Sequence, residues 1–294
     1  MAVIGPTRNC LSQASNTMNS PLSRLDQETI VVKDFGLQVH VIGFGTIGDA
    51  VLENIRTHFG HYPYGSLVEE KSDTGKNDEL IFLVANLDIA SERNVFCRAG
   101  SLVNKAAGST LAFTFTGHTS EDSCEKLLQM NRQQSSEQIN AHVVIASDRT
   151  ADAKAAGKII FERIRSIVSA MATPRSINVG FKDFCRAMTG SGKNACATIK
   201  AAWGEAHGPD RAVHAMAEAL ASPSFRKHLS QADGIVVKIT GNSKNLMGRE
   251  VKQISKEIQK HIAEDCVWLG SICYDQDMPS DVLKLEILTS HWTA

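Results

Sequence analysis

The run LIFLVANL, residues 80–87, constrains the fold more than any other stretch of the chain. It is apolar almost without interruption, so neither face of the strand it forms can turn to water. A strand buried on both faces lies inside a sheet covered by helices above and below. The neighbouring segments supply that setting. LQVHVIGFG (37–45) reads as a strand entering a glycine turn, followed by the amphipathic helix TIGDAVLENIRTHF (46–59). STLAFTFT (109–116) and AHVVIAS (141–147) are further strands, while SERNVFCRAGSLVNKAA (91–107) and EDSCEKLLQMNRQQS (121–135) are helical. Residues 60–79 are polar and turn-rich, with at most a short strand at Ser66–Val68. This alternation predicts an α/β fold over residues 37–150, a doubly wound, mostly parallel, Rossmann-like sheet. Residues 1–36 are Ser/Asn/Thr-rich and read as a mobile tail.

Residues 151–172 form one long helix with Ile160, Ile164, Ile167, Val168 and Met171 on a single stripe, stopped by Pro174. Beyond it the order of elements changes. NACATIKAAWG (194–204), GIVVKITGN (234–242), DCVWLGSI (265–272) and VLKLEILTSHW (282–292) read as strands. GPDRAVHAMAEALASP (208–223) and GREVKQISKEIQKHI (248–262) read as helices, the second with Val251, Ile254, Ile258 and Ile262 aligned. Residues 173–294 are therefore expected to be a separate α+β layer, joined to the first through the long helix.

The formal charge of −1 offers no field to nucleic acid or to an anionic membrane, and no apolar run is long enough to insert into a bilayer. The opening residues lack a signal-peptide core, so the expected location is the cytoplasm. Seven scattered cysteines without a CxxC pair read as reduced thiols, and no metal site is expected. His58 and His61 are read as a pair in a turn before Pro63, without metal-binding partners. GSGK (190–193) lacks the earlier glycine and the Ser/Thr of a phosphate-binding P-loop.

GFGTIG, with Gly43, Gly45, Thr46 and Gly48, has two readings. Its glycines and helix N-terminus can receive a phosphate, or the glycines merely permit a tight strand-to-helix turn. A nicotinamide-dinucleotide oxidoreductase built on this turn would also need an acidic residue near Glu69 or Glu70.

From Pro174 onward four ordered stretches carry a resemblance. INVGFKDFCRAM (177–188), GPDRAVHAMAEALASPSF (208–225), GIVVKITGN (234–242) and VWLGSICYDQDMPSDVLKLEILTS (267–290) resemble the corresponding motifs of the bacterial tubulin homologue FtsZ. The resemblance implies the FtsZ/tubulin architecture: a GTPase-like first half, a central helix and an α+β C-terminal domain. It also implies a role for the loop at 176–184, which in that family enters the GTP pocket of the neighbouring subunit and helps activate water. Asn178 and Asp183 hold matching positions, whereas Gly180 stands for the family's first aspartate and Lys182 for a small residue. The family's glycine-rich phosphate loop corresponds to DIASERN (88–94), which has no glycine and carries Glu92. The asparagine after the fifth strand is replaced near Ser147, and the guanine contacts correspond to about Ala153 and Gly157 or Lys158.

The reading that follows is a degenerate FtsZ-like scaffold or assembly partner with no cofactor. Its partners would be a second copy or an FtsZ-like relative, met through longitudinal-type faces. Lys182 and Glu92 would replace the attraction between loop and phosphate, and neither nucleic acid binding nor membrane insertion is expected. The alternatives are a GTP-binding, polymerising GTPase and the dinucleotide enzyme.

Overall fold

The structure, a computed structural model, describes residues 29–34, 37–59, 66–67, 78–86, 89, 109–116, 141–146, 152–172, 177–190 and 196–293. Its frame is a ten-stranded mixed sheet. In chain order the strands are β1 (Thr29–Asp34), β2 (Leu37–Gly43), β3 (Ser66–Leu67), β4 (Asp78–Asn86), β5 (Ser109–Thr116) and β6 (Ala141–Ala146). There follow β7 (Cys196–His207), β8 (Gly234–Gly241), β9 (Val267–Tyr274) and β10 (Val282–Thr293). Their order across the sheet is β3-β1-β2-β4-β5-β6-β7-β10-β8-β9. β2, β4, β5 and β6 are parallel neighbours, as the alternation of strand and helix predicts. The cross-strand contacts at the far side are antiparallel, β7 to β10 and β10 to β8, with β9 parallel to β8.

Two expectations change. Thr29–Asp34, placed in the tail by its composition, pairs antiparallel with β2 from Thr29↔Ile42 to Asp34↔Leu37. TIVVKD is rich in β-branched residues, and the edge of β2 offers it a ladder of unpaired peptide groups. The two halves also share one sheet. Ala141–Val143 of β6 pair in parallel with Ala197–Ile199 of β7, so the C-terminal strands continue the first sheet instead of forming a separate layer.

The helices are α1 (Gly45–Phe59), α2 (Ala153–Ala172), α3 (Phe181–Thr189), α4 (Arg211–Ala219), α5 (Pro223–Ser230) and α6 (Gly248–Gln259). β4 is sealed on both faces, with Leu80 through Ala85 fully buried. Ile47, Val51, Leu52 and Ile55 of α1 join Ile160, Ile164, Ile167 and Val168 of α2 in one core that also takes in Phe184, Met188, Val236 and Leu288. A second core lies on the opposite face of the C-terminal strands, where Ile235, Val237 and Ile239 of β8 meet Ala215, Phe225, Ile254 and Ile258. Val236 faces the first core and its neighbours Ile235 and Val237 the second, which explains why these three apolar residues run together.

The helix expected over 208–223 ends early. Ser222 caps a new helix by accepting a hydrogen bond from the Phe225 N–H at 3.3 Å, and Pro223 occupies the first helical position of α5. Proline has no N–H to continue the preceding helix but fits the first turn of the next.

Candidate functional site

The glycine turn divides its work among its residues. Phe44 donates its N–H to Val84 O at 2.9 Å, anchoring the turn to β4. Gly43 and Gly48 are buried against each other. A Cβ on Gly43 would lie 2.8 Å from Gly48 Cα, and one on Gly48 would lie 2.6 Å from Gly43 Cα. These two glycines are needed for the close passage of β2 over α1. Gly45 opens the helix at φ +63°, and it and Thr46 are exposed. Helix N-termini carry N–H groups without intrahelical partners, so Gly45 and Thr46 are the part of the turn able to meet an anion. An L-residue at this φ is strained, and Gly45→Ala is expected to lose about 1 kcal/mol or more of stability, readable in chemical unfolding.

The 177–183 loop lies at the other end of α2. Ile177 exchanges both backbone hydrogen bonds with Ile272 of β9, at 3.0 and 2.9 Å, and the Val179 N–H donates to Ala170 O at 3.0 Å. Val179 is buried, and the Phe184 N–H donates to Gly180 O at 2.8 Å to start α3. The loop is therefore fixed from β9, α2 and α3, while Asn178, Gly180, Lys182 and Asp183 face solvent. The Ile177 side chain is 58% exposed. Gly180 has φ −64° and ψ 142°, an extended conformation open to any residue. A Cβ there would meet only Asp183 Oδ2, at 3.1 Å. The glycine is not demanded by the backbone; what distinguishes position 180 is the missing side chain.

α2 sets the distance between the two patches. Near its start, Gly157 presses on α1 so closely that a Cβ would lie 2.6 Å from Ala50 Cβ. Near its end, Ala170 holds the loop. From 157 to 170 the helix rises about 20 Å. The structure does not bring the glycine turn and the loop together within one chain. Gly157 is occupied by helix packing, and Lys158 is exposed. Glu69, Glu70, Glu92, Ser147 and His61 lie outside the described residues, as does all of 88–94 except the exposed Ile89.

Sequence reasoning missed the most elaborate polar centre. Buried Arg211 donates to Glu250 Oε1 at 2.7 Å and Oε2 at 3.1 Å, and to the carbonyls of Ser280, Asn245 and Val282 at 2.7, 2.8 and 3.1 Å. Glu250 also accepts from the Met247 N–H at 2.8 Å. Nearby, the Asn242 amide donates to the Gln276 and Met278 carbonyls. These contacts tie the loops after β8 and β9 to α4 and α6, so Arg211 holds the end of the C-terminal domain together. Burial, with Asp233 and Asp265 nearby, pushes the Cys266 thiol up to about 11, which disfavours its thiolate. Among the described residues there is no metal-binding cluster of His, Cys, Asp or Glu, and no helix long and apolar enough to cross a membrane.

With this geometry in place, comparison identifies the second half. Residues 197–290 match the model of the FtsZ family, C-terminal domain. Over 142 residues, 47% of this chain and 43% of the relative, the sequence is 29% identical to the cell division protein FtsZ of Wolbachia pipientis. The fold agrees over a longer span. An empty FtsZ dimer of M. jannaschii superposes with a TM-score of 0.58 at 17% identity, covering 73% of this chain and 64% of that one. Residues 197–290 are thus an FtsZ-family C-terminal domain, carried by a chain with the FtsZ fold. CetZ2 of Haloferax volcanii, solved as a GTPγS-bound protofilament, aligns at a TM-score of 0.54 and 15% identity over 82% of this chain and 71% of its own. The match to the Wolbachia protein spans under half of that relative's length.

Proposed function

We propose that this FtsZ-like chain is a head-to-tail assembly subunit with a largely lost GTP site, acting as a scaffold or as the partner of a catalytic relative. The 177–183 loop carries the reading. It is pinned by backbone pairing to two elements and holds an apolar side chain, Ile177, out to solvent beside Asn178, Lys182 and Asp183. Such a fixed, mixed surface suits contact with another protein. Gly180 contributes no carboxylate, which argues against water activation at this loop.

Three features support loss of nucleotide binding: the glycine-free DIASERN sequence, the mutual packing of Gly43 and Gly48, and the filling of Gly157 by α1. The relatives solved as a dimer and as a protofilament support self-association. Patches at the two ends of α2 suit a repeating contact in which one end meets the other end of the next copy. The competing GTPase reading rests on Gly45 and Thr46, which remain exposed at the α1 N-terminus.

Sedimentation tests the assembly claim. Association is expected to be indifferent to GTP, to weaken as salt rises, and to fall on charge reversal by Lys182→Glu. Glu92→Lys tests the opposing side, and the double reversal is expected to restore association. Assembly that requires GTP, or single reversals that associate as wild type does, would contradict the reading.

A further inference from the structure

β9 is the last strand of the sheet and has β8 on one side only. The hydrogen bonds fix which of its peptide groups face outward. The Val267 N–H donates to Asp233 O at 2.9 Å, so Val267, and with it Leu269, Ser271 and Cys273, bonds inward to β8. Ile272 has the opposite sense, since both its backbone bonds go out to Ile177. Trp268 and Gly270 share the sense of Ile272. Their outward N–H and C=O groups meet no partner among the described residues, and Gly270 is exposed.

Bare edges are normally blunted by a lysine, a proline, a bulge or a covering element. VWLGS, Val267 to Ser271, has no charge and no proline, and its register with β8 runs without a bulge. Val267 and Leu269 pack towards the first core and Trp268 towards the second, so the strand is held from both faces while its edge stays open. A second copy of β9 does not fit that edge. Pairing Trp268 with Gly270 of the second copy sets that copy's Cys266 opposite Ile272, the place Ile177 already holds. Pairing Gly270 with its own counterpart needs the same Ile272 peptide groups. Pairing Trp268 with its own counterpart needs the Cys266 N–H, which donates to Ala263 O at 3.2 Å.

We propose that the β9 edge receives an extended segment of a partner protein, added as a further antiparallel strand and basic at its C-terminal end. The chain itself displays the mode. Ile177 pairs antiparallel with Ile272, and the backbone then turns away to α2 as the Val179 N–H donates to Ala170 O. The incoming strand takes up that line where the chain leaves it, exchanging two hydrogen bonds with Gly270 and two with Trp268. Its side chain opposite Gly270 lies on the face shared by Trp268, Ile272 and Ile177. A Cβ on Gly270 would have only Trp268 Nε1 within 4 Å, at 3.8 Å, so the space there is open to an apolar side chain. Past Trp268 the segment reaches Glu264 and Asp265, both exposed and in no ion pair among the described residues. Lys260, close by in sequence, is held by Glu257 at 2.6 Å. Lys or Arg on the segment supplies the missing charge.

Calorimetric titration of the full chain with a synthetic peptide tests this. The probe is capped at both ends, alternates Thr and Val, and finishes in Lys-Arg. It is expected to bind saturably, with a dissociation constant on the order of 0.1 mM, and to slow amide exchange at Trp268 and Gly270. The same peptide finishing in Asp-Glu should bind about tenfold more weakly, and one N-methylated throughout should not bind. Gly270→Pro removes an outward N–H and leaves the β8 ladder intact, so it should fold and weaken binding about tenfold or more. Glu264→Lys combined with Asp265→Lys should reverse the preference between the basic and acidic peptides. The N-methylated peptide decides the matter if Gly270→Pro fails to fold. No saturable binding of the basic peptide overturns the proposal, as does equal binding of its N-methylated form. Protection of Trp268 and Gly270 that rises with protein concentration alone also overturns it, and assigns the edge to a second copy.

Discussion

Arg211→Ala is expected to destabilise the protein by about 3–5 kcal/mol, measured as a lower midpoint in urea unfolding. The substitution leaves Glu250 as a buried carboxylate without its cation and strips the Ser280, Val282 and Asn245 carbonyls of their donor. Arg211→Lys should recover only part of the loss, because an ammonium cannot match the forked geometry that engages both Glu250 oxygens. The pair also predicts a pH dependence. Burial alone would raise the Glu250 carboxyl, but hydrogen bonds from Arg211 and the Met247 N–H, with the charges of Arg211 and Arg249, outweigh it and hold it below its ordinary value. A carboxyl lowered on folding stabilises fully above its unfolded pKa, near 4.3. That contribution is lost as the solution is acidified below this point, through the folded value. Wild type should therefore lose stability on acidification faster than Glu250→Gln.

Gly204→Ala is expected to be as damaging through packing alone. A Cβ at this position would lie 1.8 Å from Ala215 O and 2.6 Å from Ala215 C, both backbone atoms of α4. No rotamer change relieves that overlap, so α4 must move off β7 and open the core between them. We expect a cost of about 3 kcal/mol or more, at or above the upper end for overpacked sites. Gly248→Ala provides the contrast. No atom lies within 4 Å of its added Cβ, so stability should hold or rise by a few tenths of a kcal/mol from improved helix propensity.

The parts of the fold that the sequence reveals are those set by local pattern. β4 announces itself as an apolar run because both its faces are covered, and the α2 stripe of Ile160, Ile164, Ile167 and Val168 lies in the core it predicts. What local pattern cannot reveal is pairing at a distance. Thr29–Asp34 becomes a strand through the open edge of β2, and the two halves share a sheet through three residue pairs between β6 and β7. The candidate loop behaves in the same way. Its residues can be named from INVGFKDF, yet its fixation depends on Ile272, nearly a hundred residues further along the chain. GFGTIG shows a related limit. The sequence displays three equivalent glycines, whereas only Gly45 has positive φ and Gly43 and Gly48 serve each other. Nothing local marks Arg211, because its five acceptors come from three separate stretches, at Asn245, at Glu250 and at 280–282.

The most direct test of the central claim is a calorimetric titration of the full chain with GTP and Mg²⁺. On the proposed reading Gly43 and Gly48 serve packing, Gly45 alone does not hold the nucleotide, and DIASERN cannot bring its backbone up to a phosphate. That reading predicts no saturable heat at millimolar GTP and the same sedimentation profile with and without nucleotide. A dissociation constant in the low micromolar range, lost in Gly45→Ala while the variant remains folded, would contradict it and establish the GTP-binding reading in its place.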